Sequence, residues 1–113
     1  MMDEVLKESV AALFCHVIKQ DNKDIKKERP IFCRFMMQDF DCDYKEANRL
    51  LDETMEKEYN IDTQISIIGN ALCNKTYDKV SLLKQLNHII IKDKLRSEDY
   101  EVFEKLKKAL ALY

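Results

Sequence analysis

Apolar positions recur along this chain at spacings of three and four, the period of amphipathic helices. Val5, Leu6, Val10, Leu13, Phe14, Val17 and Ile18 predict a helix from about Asp3 to Gln20. The run from Asp21 to Lys27 has no apolar face and reads as a loop. Ile31, Phe32, Phe35, Met36 and Phe40 predict a second helix. Pro30 belongs in its first turn, where a fixed φ is tolerated and a missing N–H costs little. Asp39-Phe40-Asp41-Cys42-Asp43 breaks that helix, and Asp43 is placed to cap the next one, with Glu46 reaching back. Ala47, Leu50, Leu51, Thr54 and Met55 mark the inner face of a third helix ending near Tyr59-Asn60. Asp62 suits the cap of a fourth helix holding Ile65, Ile68, Leu72 and Cys73. Gly69 within it costs about 1 kcal/mol relative to alanine, so it marks a close helix crossing. A fifth helix opens at Thr76 or Tyr77, with Val80, Leu83, Leu86, Ile89 and Ile90 inward. Ser97 caps a sixth, whose inner face is Val102, Phe103, Leu106, Ala109 and Leu110. The pattern predicts an all-α bundle of about six helices.

Composition agrees with that picture and narrows the function. A chain of 113 residues suits a single domain around one core, residues 1–113. Apolar residues at 46% and charged residues at 35% describe a soluble, folded protein. One glycine and one proline argue against a many-turned β architecture. A net charge of −2, with basic and acidic residues interleaved, gives no sign of a nucleic-acid binder driven by phosphate neutralisation. No stretch approaches the roughly 18 apolar residues of a membrane span, and the acidic Met1-Met2-Asp3-Glu4 start lacks a signal-peptide layout. Cytoplasmic residence is the expectation. Cys15, Cys33, Cys42 and Cys73 form no Cys-x-x-Cys pair and are expected to be reduced.

A short pattern occurs twice. His16-Val17-Ile18-Lys19-Gln20-Asp21 and His88-Ile89-Ile90-Ile91-Lys92-Asp93 share a histidine, two β-branched residues and an aspartate, at a constant offset (16 to 88, 21 to 93). Each aspartate is followed by an acidic loop and a new apolar pattern, which suggests a duplicated helix, acidic loop, helix unit. The first loop holds Asp21, Asp24 and Glu28; the second holds Asp93, Glu98, Asp99 and Glu101. Hard divalent cations need several oxygen ligands, which carboxylates from two loops can supply. Helix capping is the competing account, because acidic first turns are favoured by the helix dipole and need no ligand.

Other candidates are weaker. Asp39-x-Asp41-x-Asp43 fails as an EF-hand, since loop position 6 would be Tyr44 and position 12 Leu50. Each histidine adjoins an apolar stripe, which suits a structural, partly buried imidazole better than a zinc ligand. Met36-Met37 beside Phe35 and Phe40 could extend an exposed apolar patch for a protein partner. No nucleophilic arrangement and no glycine-rich phosphate loop is present, so the chain does not read as an enzyme.

The duplicated unit resembles the tellurite-resistance TerB-like family. An apolar helix ends in aspartate, and an acidic residue opens the next helix seven positions on: Asp21 to Glu28, then Asp93 to Asp99 with one residue missing. The resemblance covers about Leu13 to Leu110. It implies a compact, all-α, bacterial protein associated with tellurite and other stress responses, acting as a non-catalytic binding module. It also implies a divalent cation, calcium or magnesium, held by Asp21, Glu28, Asp93 and Asp99. The family usually has glycine after each loop aspartate, where this chain has Asn22 and Lys94. The alternative is a metal-free protein–protein interaction or dimerisation domain with an unknown partner or a second copy.

Overall fold

The computed structural model describes residues 4–20, 25–91 and 97–110, with side chains described for 4–19, 25–87 and 101–110. They form six helices: α1 (Glu4–Gln20), α2 (Ile25–Asp39), α3 (Tyr44–Met55), α4 (Ile61–Ala71), α5 (Thr76–Ile91) and α6 (Ser97–Ala109). No strand occurs among the described residues.

α1 is the central element. Val10, Ala11, Ala12, Leu13, Phe14 and Cys15 are all buried, so its middle is enclosed on every side rather than on one stripe. It packs against each of the other five helices. Its Phe14 ring stacks edge-on against Phe35 at 5.3 Å and Phe32 at 6.2 Å, and Phe35 meets Phe40 at 6.0 Å. These are the offsets at which a positive ring edge faces a negative ring face. Leu51 of α3, Ile65 and Ile68 of α4, Leu82 and Leu86 of α5, and Val102, Leu106 and Leu110 complete one buried cluster. Val5, expected inside, is 60% exposed, while its neighbour Leu6 carries the first turn of α1 into the cluster at 2%.

Several boundaries differ from the sequence pattern. α2 starts at Ile25 rather than after Lys27, which puts Pro30 inside the helix and not in its first turn. Only the bond to the carbonyl of Lys26 is forgone there, close to the helix start. Partial burial of Ile25 and full burial of Ile31 and Phe32 outweigh that loss. α3 ends at Met55, not near Tyr59-Asn60; the Glu56 N–H closes it on the Glu53 carbonyl and the Lys57 N–H on that of Thr54. The cap of α4 is Asn60, which accepts from the Thr63 N–H at 3.1 Å, and Asp62 lies in the first turn instead. Starting at Ile61 brings that side chain against the core. Asp43 caps α3 as expected, accepting from the Glu46 N–H at 2.8 Å, but the Glu46 side chain makes no return bond among the described residues. Cys73 lies beyond the end of α4 and is exposed. On α5, Val80 is 52% exposed, and the buried face runs through Leu82 and Leu86 with Lys79 largely covered beside them. α6 opens at Ser97 itself, whose side chain lies outside the described set, as do those of Ile89 and Ile90.

Gly69 does mark a close crossing. A β-carbon there would stand 2.9 Å from the Ala109 carbonyl oxygen and 3.3 Å from the Ala109 β-carbon, so α4 and α6 approach backbone to backbone.

Candidate functional site

Of the four candidate ligands, Glu28 is described in full. It sits in the first turn of α2, 0% exposed, with both carboxylate oxygens closed off from solvent. Its position follows from the sequence: Ile25, Glu28, Phe32 and Phe35 share one helical stripe, so the fold that buries the aromatics carries the carboxylate inward with them. Asp21, Asp24 and Asp93 lie outside the described residues, and Glu98 and Asp99 fall in the first turn of α6 with side chains that do too. α1 and α5, the helices that lead into the two acidic loops, pack against each other, and α5 packs against both α2 and α6. Glu101 is committed elsewhere: it is solvent-facing and 4.0 Å from Lys105, one turn along its own helix. Among the described residues no group of three His, Cys, Asp or Glu side chains is placed to hold a metal ion.

The aspartates of the α2–α3 connection each have a structural task. Asp39 accepts a hydrogen bond from the Ser81 hydroxyl at 3.1 Å, tying α2 to α5. Asp41 takes the left-handed backbone (φ 54°) that lets the chain turn, a conformation aspartate tolerates better than most residues. Asp43 is the cap. The Met/aromatic patch is mostly absent: Phe35, Met36 and Phe40 are core, and Met37, 42% exposed, is what remains of it outside. All four cysteines are free. Burial pushes the Cys15 thiol up to about 12, against a weaker pull from Lys19, in keeping with its 1% exposure in the core.

His16 is half-buried, as its apolar neighbours suggested, while the His88 side chain lies outside the described set. His16 forms one wall of a cleft that the sequence pattern did not reveal, lined also by Ala12, Cys15, Lys19, Thr54, Lys57 and Tyr59. Burial, then Lys105, then Lys19 lower its proton affinity, and Asp62 opposes them. The cleft exists because α3 stops at Met55, so residues 56–60 cross beside α1 as irregular chain. Lys19 fastens that crossing, its ammonium donating to the Lys57 carbonyl at 2.7 Å. The signal for it was the unpatterned Glu56-Lys57-Glu58 run, polar on every side.

No described helix is long and apolar enough to cross a membrane. Compared with protein-family models, with curated proteins and with solved structures, the chain matches none.

Proposed function

We propose that this chain is a TerB-like, non-catalytic helical binding module that holds a divalent cation, calcium or magnesium, through Asp21, Glu28, Asp93 and Asp99, in a bacterial stress response. The observation that carries the reading is the complete burial of the Glu28 carboxylate. Enclosing a carboxylate costs several kcal/mol after relaxation. The helix dipole at a first turn returns only about 0.3–1 kcal/mol, up to about 2 in enclosed geometry. A cation bound against the acidic loops would offset the remainder, together with the groups of the chain that Glu28 meets. What favours the cation is the burial itself; Glu28 also interacts with other groups of the chain. The interaction-domain alternative is less favoured, because most of the Met/aromatic face it needed is inside the core.

Thermal unfolding in calcium and in magnesium tests the proposal. A cation that binds only the folded state raises stability by about 2.7 kcal/mol at one hundred times its Kd. Glu28→Gln should remove that rise, and its melting temperature without metal, read beside wild type, separates the lost cation from the contacts Glu28 makes within the chain. Asp21→Asn with Asp93→Asn should remove it as well. A melting temperature indifferent to every divalent ion would sink the proposal.

A further inference from the structure

The cleft beside His16 has none of the four candidate ligands among its lining residues and has a chemistry of its own. Its floor is the buried Ala12, Cys15 and Thr54, its walls are the half-buried His16 and Tyr59, and Lys19, Lys57 and Glu58 form its rim. Its volume is about 240 Å³, far more than the roughly 10–15 Å³ that a single water needs. A bare inorganic ion would leave most of it empty.

Charge decides which ligands are drawn in. Lys19 donates to a carbonyl, and neither Lys19 nor Lys57 has a carboxylate partner among the described residues. Asp62 of α4 and Glu101 of α6, by contrast, are both occupied by Lys105, at 3.2 and 4.0 Å. Glu58 is the one opposing charge on the rim. Burial first, then Lys105 and Lys19, lower the proton affinity of the imidazole, with Asp62 opposing them. His16 is therefore neutral at pH 7 and offers one N–H donor and one acceptor.

We infer that this cleft binds a small organic carboxylate, its anionic head drawn to Lys19, Lys57 and the His16 ring and its apolar body resting against Ala12, Cys15 and Tyr59. The lysines select against cations, and the apolar floor and the volume select an organic acid over a bare oxyanion. No metal is involved, so failure of the acidic-loop proposal leaves this one standing.

Benzoate is a suitable probe, followed by NMR at the ring protons of His16 and Tyr59. Saturable shifts are expected, together with a rise in the His16 pKa, because an anion beside the imidazole favours its protonated form. Lys19→Gln with Lys57→Gln should weaken benzoate about tenfold or more, the scale of a charge-assisted hydrogen bond. Glu58→Gln should tighten it by relieving repulsion. All three side chains are exposed; Lys57→Gln alone keeps the Lys19 bond to the residue-57 carbonyl, and it too should weaken benzoate. Absence of a saturable shift at about a hundred times the 1 mM scale of weak ligands would overturn the inference. So would inorganic phosphate binding as tightly as benzoate, which would show that charge alone is read. Benzyl alcohol binding as tightly as benzoate would remove the lysines from the account.

Discussion

Cys15 and Glu28 are both enclosed, and the sequence disclosed the two unequally. Glu28 lies on the stripe of Ile25, Phe32 and Phe35, so its burial was legible once α2 began early enough; the charges of Lys26 and Lys27 hid that start. Cys15 belongs to no stripe, because the middle of α1 is buried all round, and only packing reveals it. Its thiol carries a pH dependence. The native pKa is about 12 against 9.0 for an unperturbed thiol, so between these values the native state holds a proton that the unfolded state has released. Stability from this group is complete below pH 9 and is lost as pH rises towards 12. Three units correspond to about 4 kcal/mol at most. The stability difference between wild type and Cys15→Ala should therefore shrink by a few kcal/mol from pH 8 to pH 11, measured by urea unfolding. Other groups titrate equally in both proteins and cancel. A difference independent of pH would show that Cys15 is not enclosed.

At the scale of elements, helix existence was legible and helix ends were not. Periodicity identified all six helices, but two start residues depended on small trades between caps and core contacts. Asn60 displaced Asp62 as a cap because starting at Ile61 buries an apolar side chain, and both residues are good caps. The face of α5 was ambiguous for a related reason. Val80, Leu82, Leu83 and Leu86 make a stripe too broad to fix its centre, and the neighbours α6 and α2 chose Leu82 and Leu86. Gly69 was the clearest element-scale signal, and it supports a prediction. Gly69→Ala should gain about 1 kcal/mol of helix propensity. The added carbon would meet the Ala109 carbonyl oxygen at 2.9 Å, and a backbone atom cannot rotate away. Overpacking of this kind costs about 1–3 kcal/mol. Net destabilisation is expected in urea unfolding, and a more stable Gly69→Ala protein would mean that α4 and α6 do not cross there.

For the molecule as a whole, the pattern gave an all-helical chain and did not show that α1 is its centre. The radius of gyration, 12.8 Å, is that of a chain folded round one core, about 13 Å for this length. The candidate site was less legible than the fold, because the proposed ligands were sought in loops, where no periodicity constrains placement. Only Glu28, on a helix stripe, could be read inward by geometry. The central place of α1 makes a prediction that sequence periodicity contradicts. Val5 and Phe14 belong to one apolar series, and periodicity assigns both to the inner face. The structure separates them: Val5 is 60% exposed, while Phe14 is 0% exposed between Phe32 and Phe35. Phe14→Ala should cost about 3–5 kcal/mol, from lost transfer energy and the cavity left behind. Against a total of about 5–15 kcal/mol, that is a large share of the stability of the protein. Val5→Ala should stay within about 0.5 kcal/mol, as substitutions on exposed surface do. In urea the Phe14→Ala midpoint should fall sharply at an unchanged slope, with the Val5→Ala curve close to wild type. Equal shifts for the two would show that α1 presents one stripe to the core, as an ordinary surface helix does, and is not enclosed by the other five.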